Sequence, residues 1–349
     1  MSLLIYGAAG FTGRLIVEEA VARGLRPILA GRDAARVVPL AQRYGLPHRT
    51  FALTDAAQGL AGVRVVLHAA GPFRDTWAPM VDACVAVGAH YLDLSGEVDS
   101  LHGVSGRDEA ARERGVMLMP GVGFDVVPSD CLAAMVAAKL GAVARLRVAI
   151  SGLELVSRGS LRTLAAAAHE AVVRRAEVLH RVPVASLRRR FDFGHGPRDA
   201  TLVAWGDVVT ARYSTGAPDI EAYWEETAAL AWMLAARRVA PWLAAPAVAE
   251  ASLGFAATWV PEGPSPAERA ARRAVVVVEA EDARGRVARG RIESPEAYTL
   301  SAISAVAVAR RALEGDVEEG FQTPSRVYGA GFAATLPGVV VAGVEGPRG

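Results

Sequence analysis

Asparagine is absent from the 349 residues, lysine occurs once, at Lys139, and cysteine twice, at Cys84 and Cys131. A single lysine removes most lysine chemistry. A Tyr-x-x-x-Lys catalytic pair needs tyrosine at 135, where the chain has Met135, and a phosphate-binding P-loop needs glycine at 138, where it has Ala138. The two cysteines have no paired spacing, which speaks against a disulfide framework and for a reducing cytoplasm. No charged-then-apolar leader precedes the first apolar run. The most apolar later stretch, Ala228 to Ala249, is broken by Arg237, Arg238, Pro241 and Pro246, so no membrane span is expected. Neither sign of charge prevails: 38 basic residues face 37 acidic ones for a net charge of +1, which leaves no field to attract nucleic acid. The histidines, at 48, 68, 90, 102, 169, 180 and 195, nowhere pair at ligand spacing, and no metal is expected.

What the chain does have begins at once. Leu3-Leu4-Ile5-Tyr6 is a short apolar run of the kind that becomes a buried parallel strand, and glycines follow at 7, 10 and 13. Gly7 suits a sharp turn, Gly10 lets backbone approach a pyrophosphate, and Gly13 lets the following helix pack on the strand. That helix, Phe11 to Arg23, offers its first N–H groups and positive dipole end to phosphate. Gly7, Ala9, Gly10, Phe11, Thr12 and Gly13 are therefore the candidate phosphate-loop residues. At the end of the next strand, Pro27 to Gly31, the residue that reads the adenosine ribose is Arg32 rather than a carboxylate, which suits the 2′-phosphate of NADP. Asp33 keeps NAD open, or caps the helix Ala34 to Tyr44.

The alternation continues. A strand at Arg49 to Leu53 and another at Val63 to Ala70 lead to Gly71-Pro72-Phe73, and a helix runs from Trp77 to Val87. The strand at Tyr91 to Leu94 then opens into Ser95-Gly96-Glu97. A helix at Ser105 to Arg114 and a strand at Val116 to Pro120 bring the chain to Gly123-Phe124-Asp125. Ligands lie at the carboxyl ends of such strands, so Ala70, Gly71, Pro72, Phe73, Ser95 and Gly96 are candidate cofactor contacts. Glu97 and Asp125 are the candidate proton relays, with capping and loop hydrogen bonding as their alternative roles. In the second half, Val143 to Gly152 reads as a strand, Ser160 to Leu179 as an alanine-rich helix, and Ala200 to Tyr213 as one or two strands. A hairpin follows around Asp282-Ala283-Arg284-Gly285, between Ala274–Glu281 and Val287–Ile292, and a helix spans Pro295 to Leu313.

Five runs together resemble the saccharopine dehydrogenase-like oxidoreductases, in particular the branch of trans-acting enoyl reductases. They are GAAGFTG at 7–13, AGR at 30–32, AAGPF at 69–73, HYLDLSGE at 90–97 and GFDVVPSD at 123–130. Weaker likeness continues through GPSPAERAARRA at 263–274, EAYTLSA at 296–302 and GFQTP at 320–324. Val127-Pro128-Ser129-Asp130 departs from the saccharopine-forming branch, which points away from saccharopine itself. The expected fold is α/β, a Rossmann-type doubly wound parallel sheet with an inserted α+β second domain. The dinucleotide-binding domain is placed at 1–140, completed by 310–349 as the resemblance implies, and a substrate or oligomerisation domain at 141–309.

The expected function is an NADP-dependent oxidoreductase, with NAD the lesser choice of cofactor. Hydride would pass between the nicotinamide and a carbonyl, imine or activated C=C of a small organic substrate held between the domains. The alternative is a non-catalytic NADP-binding redox sensor. A small molecule is the expected partner, with a homodimer through the second domain.

Overall fold

A computed structural model describes residues 2–160, 170–227, 259 and 261–347. The chain divides into two compact units, one of Met1–Val127 with Tyr298–Pro337, the other of Pro128–Ala297 with Gly338–Gly349.

The first unit is built on a parallel sheet. Its strands are β1 (Leu3–Tyr6), β2 (Ile28–Gly31), β3 (His48–Thr50), β4 (Val65–His68), β5 (His90–Asp93) and β6 (Met117–Met119), with Gly320–Phe321 as a seventh. The order is β3-β2-β1-β4-β5-β6 and then Gly320–Phe321, every neighbouring pair parallel. β1, β4 and β5 are buried along their whole length, because helices cover both faces of a doubly wound sheet and leave no side of the strand wet. The chain proceeds from β1 in one direction to β2 and β3, then returns to β4 on the other side of β1. That reversal is the switch point, and it opens a crevice at the carboxyl ends of β1 and β4.

Helix α1 (Phe11–Ala22) turns Gly13, Ile16, Val17 and Ala20 inward, a single stripe at helical spacing. α2 (Ala34–Tyr44) starts on Asp33, whose carboxylate accepts from the Ala35 N–H, and ends on Gly45 in the left-handed region. α3 (Ala56–Gly59) and α4 (Phe73–Val87) follow. Where one helix was expected from Ser105 to Arg114 there are two short ones, α5 (Val98–Ser105) and α6 (Asp108–Glu113), parted at Gly106. Leu4, Tyr6, Val66, Met80, Tyr91 and Phe321 belong to the core of this unit.

α7 (Val127–Ala137) leads into the second unit, whose sheet is mixed. Its strands are β7 (Arg145–Ser151), β8 (Glu170–Arg175), β9 (Val178–Pro183), β10 (Arg188–Asp192), β11 (Pro197–Leu202), β12 (Asp219–Glu225), β13 (Arg273–Glu281) and β14 (Val287–Pro295), with Val340–Glu345 beyond β14. Strand order is β10-β11-β12-β7-β13-β14 and then Val340–Glu345, with β8 paired to β12 and β9 to β8. β7 and β12 run parallel while the other pairs are antiparallel. One face carries an aromatic core with Ala149, Phe191, Phe193, Leu202 and Tyr223.

Several expectations are corrected here. From Glu170 onward the expected helix is a hairpin, β8 and β9, turning through Ala176 and Glu177, both at positive φ. Residues 161–169, with His169, and the apolar stretch 228–249 lie outside the described residues. The expected strand at 200–213 stops at Leu202, and Asp207–Thr215 is a helix. The units part at Val127 and Pro128, not near 140. Residues 338–349 join the second unit, where Val340–Glu345 pairs with β14, while the helix Ala297–Glu314 lies in the first from Tyr298 onward.

Candidate functional site

The turn after β1 is closed by its own backbone. The Gly7 and Ala8 N–H groups both donate to the Ala30 carbonyl, and Gly10 N–H donates to Gly7 at 3.0 Å. Gly7 has φ +83°, and a Cβ on it would lie 2.8 Å from the backbone of Ala69 and Ala70. A Cβ on Gly13 would lie 2.2 Å from the Gly7 carbonyl oxygen, so α1 approaches the turn as closely as a missing side chain permits. Gly10 differs: a Cβ there meets only that carbonyl, at 3.3 Å, and no side chain caps the start of α1. Backbone N–H groups at a helix start beside an open glycine are the cradle a pyrophosphate fits, and the residues present suit a dinucleotide.

Arginines gather beside this turn. Arg14 and Arg36 each donate to the Ala9 carbonyl at 2.9 Å, and exposed Arg32 follows β2 immediately. Exposed Asp33 lends one carboxylate oxygen to capping α2. Arg36 escaped the sequence reading, although an arginine one helical turn beyond Arg32 was a usable signal.

The second loop, after β4, is fastened from beneath. His68 is fully buried, and burial holds its imidazole neutral, its pKa lowered to about 3. Its Nε2 lies 3.0 Å from Thr76 Oγ1, which in turn lies 2.8 Å from the Ala70 carbonyl, and the ring stacks on Tyr6 at 5.6 Å and meets the edge of Phe73 at 5.5 Å. With the Thr76 hydroxyl donating to Ala70, the neutral histidine donates from Nε2. Ala70, Gly71, Pro72 and Phe73 are thus set by a side-chain relay invisible in the local sequence.

Glu97 completes the fastening. Its carboxylate accepts from the N–H of Phe73 at 2.9 Å and of Arg74 at 2.7 Å, so it caps α4 from the next loop. Both oxygens accept from backbone N–H groups, the capping arrangement that is the alternative to a proton relay for Glu97. Ser95 supports it, its hydroxyl accepting from the Glu97 N–H.

Asp93, at the end of β5, ties the third loop to the fourth. One oxygen accepts from the N–H groups of Ser95 and Gly121, both at 2.8 Å, and the other from the Tyr91 hydroxyl at 2.7 Å. Burial raises its pKa to about 6 against the opposing pull of those three bonds. Asp125 packs directly on Gly96: a Cβ on that glycine would stand 2.7 Å from Asp125 Oδ2. Gly96 is glycine so that this carboxylate can lie there. Phe124 is buried, 3% exposed, and its N–H donates to Ser301 Oγ, while Ser304 donates to the Val122 carbonyl. Tyr298 meets Phe11 edge-on at 5.3 Å. Two serines three residues apart on the helix Ala297–Glu314 therefore hold a loop nearly 180 positions earlier, for which the sequence offers no signal.

The loops named from the sequence, at 7–13, 69–73, 95–97 and 123–125, form one contiguous edge, with Arg32 beside it. Among the described residues no three His, Cys, Asp or Glu side chains are grouped to hold a metal ion, and no helix is long and apolar enough to cross a membrane.

Residues 3–119 match the family described as the saccharopine dehydrogenase NADP binding domain. The chain is 33% identical over 146 residues to a trans-acting enoyl reductase of Mycobacterium tuberculosis, a match covering 37% of this chain and 33% of that protein. It is 30% identical over 148 residues to a saccharopine dehydrogenase-like oxidoreductase of Arabidopsis thaliana, covering the same shares. The matched part spans about a third of each relative. In three dimensions the chain resembles the L-glutamate-forming saccharopine dehydrogenase of Saccharomyces cerevisiae, with a TM-score of 0.63 at 13% identity over 98% of this chain and 100% of that one, a likeness of fold.

Proposed function

Because residues 3–119 match the saccharopine dehydrogenase NADP binding domain, we propose that the protein is an NADP-dependent oxidoreductase acting on a small organic substrate. The observation that carries this reading is the open start of α1 beside Gly10, with Arg32 and Arg36 at hand and Asp33 capping α2. Gly7, Ala9, Gly10, Phe11, Thr12 and Gly13 hold the pyrophosphate on backbone. Arg32 takes the 2′-phosphate, for which a guanidinium is suited and a carboxylate is not, and Arg36 adds a second positive charge.

When bound, the nicotinamide supplies hydride chemistry. The protein supplies orientation. Ala70, Gly71, Pro72 and Phe73 stand fixed by His68, Thr76 and Glu97, and Ser95 and Gly96 by Asp93. Asp125, on Gly96, is the carboxylate placed to relay a proton at that edge. An activated C=C is the substrate bond that the enoyl reductase relatives favour, ahead of a carbonyl or imine.

The test is calorimetric. Arg32→Ala is expected to weaken NADPH binding about 10- to 100-fold while changing NADH binding less than about threefold, the loss of a charge-assisted phosphate contact. Equal losses for both would place the phosphate elsewhere. NADPH oxidation followed by absorbance against enone, ketone and imine substrates then tests turnover, and tight binding with no turnover on the panel would favour the redox-sensor reading.

A further inference from the structure

Among the described residues of the second unit, the buried donors without a hydrogen-bond partner include Thr201 Oγ1, Trp205 Nε1 and Trp224 Nε1, besides Arg147 Nε and Arg291 Nε. The first three form one group. Thr201 stands directly opposite Trp224 in the β11–β12 ladder, and the two indoles meet edge to face with ring centres 5.1 Å apart. On the same face the next cross-strand neighbours are Ile150 and then Val276. Leu202, Tyr223 and Ala149 alternate to the other face, where the aromatic core lies, so the donors point away from that core. Thr201 is fully buried and Trp205 is 9% exposed. α7 covers this face farther along, where Leu132 and Val136 lie against Gly290.

An indole N–H donates and cannot accept, and phenylalanine would fill such a position without a polar atom to satisfy. Isolated unsatisfied donors occur in native proteins, whereas three side by side call for an acceptor that the described residues do not supply. The surroundings restrict that acceptor. Trp205 leads through Gly206 into fully buried Asp207, and the negative charge of Asp130 acts on Asp207. A charged guest would lose its water on this buried face, where none of the residues named on it carries a positive charge to meet an anion and the donors repel a cation, so a neutral acceptor is favoured. We propose that Thr201, Trp205 and Trp224 form a binding site for a neutral carbonyl oxygen carried on an apolar body, with the indole rings as its walls. The site lies within the second unit and stands apart from the oxidoreductase reading above.

Tryptophan emission of the full-length protein tests this with three transparent probes of matched chain: hexanamide, hexanoate and hexylamine. Hexanamide is expected to shift the emission saturably, and hexanoate and hexylamine to leave it unchanged at the same concentrations. Trp205→Phe, Trp224→Phe and Thr201→Val should each raise the apparent Kd for hexanamide by about fivefold or more, since each removes one donor. Thr201→Val, nearly isosteric, should melt no lower than the parent protein. Three results would overturn the site: no saturable response to hexanamide, an equal response to hexanoate, or a lower melting point for Thr201→Val, which would mean that internal water already satisfies the donors. NADPH calorimetry on the same samples separates the readings. Cofactor binding without a probe response sinks this site alone, and a probe response without cofactor binding sinks the NADP assignment.

Discussion

Asp93 in the first unit and Asp207 in the second are both fully buried, and burial raises both carboxyl groups, to about 6 and about 7 respectively. Their surroundings differ. Asp93 receives three hydrogen bonds from two loops and a strand, whereas Asp207 has Asp130 nearby, whose charge raises it further while the Ser129 hydroxyl opposes. The first arrangement spends a buried carboxylate on holding backbone still. The second leaves a buried acid two positions from Trp205, whose indole N–H has no hydrogen-bond partner among the described residues. One unit is wired for a fixed edge, and the other keeps buried polar groups without a hydrogen-bond partner among the described residues.

The comparison breaks most visibly at Asp93. Asp93→Ala leaves the N–H groups of Ser95 and Gly121 and the Tyr91 hydroxyl without their acceptor, and at pH 5 should cost about 3–5 kcal/mol in chemical denaturation. Asp93→Asn, which keeps an acceptor for both N–H groups, should lose much less. An equal loss in both variants would show that the charge, and not the bonding, matters there.

Asp207 sharpens the contrast through pH. Its folded pKa of about 7 lies above the ordinary value of 3.8, so the folded state holds the proton more tightly. Stability from this group is full below about pH 4 and is lost as pH rises through about 7. Asp207→Asn stays neutral throughout. It should exceed the parent by on the order of 4 kcal/mol at pH 8 and by about 1–2 kcal/mol at pH 5, as measured by urea unfolding at both values. A variant less stable than the parent at pH 8 would refute the raised pKa.

The smallest effect is expected at Ser304. Removing its hydroxyl from the Val122 carbonyl should cost about 1 kcal/mol. Hydrogen exchange should quicken at residues 121–124, and unchanged exchange there would deny the helix its part in holding that loop.

The first unit was largely legible in the sequence because its strands are buried on both faces. Such strands are continuous apolar runs, and the glycines of the turn after β1 have backbone reasons to be there. The second unit was not. Residues 170–179 read as part of a helix because alanine, arginine and glutamate favour one, and the usual Asn-Gly signature of a tight hairpin is missing. The turn instead forces Ala176 and Glu177 to positive φ, and its amides are held from outside the hairpin, by Asp219 Oδ1 and the Pro218 carbonyl. Helix Asp207–Thr215 was hidden by Val208, Val209 and Thr210, whose branched side chains favour strands and here are buried in a helix. At the candidate site the chain positions were legible and their partners were not. Nothing around Glu97 reveals that it caps a helix beginning 24 residues earlier.

The double tie of Asp93 also bears on how the chain tolerates change. Ser95 and Gly121 are fixed to one carboxylate, so the stretch between them, with α5 and α6, leaves and returns at points that do not depend on its length. Segments anchored at both ends in this way are where insertions and exchanges between homologous chains do least harm. Inserting a reporter or a new recognition element at exposed Gly106, between α5 and α6, should leave the edge formed by the loops at 7–13, 69–73, 95–97 and 123–125 undisturbed.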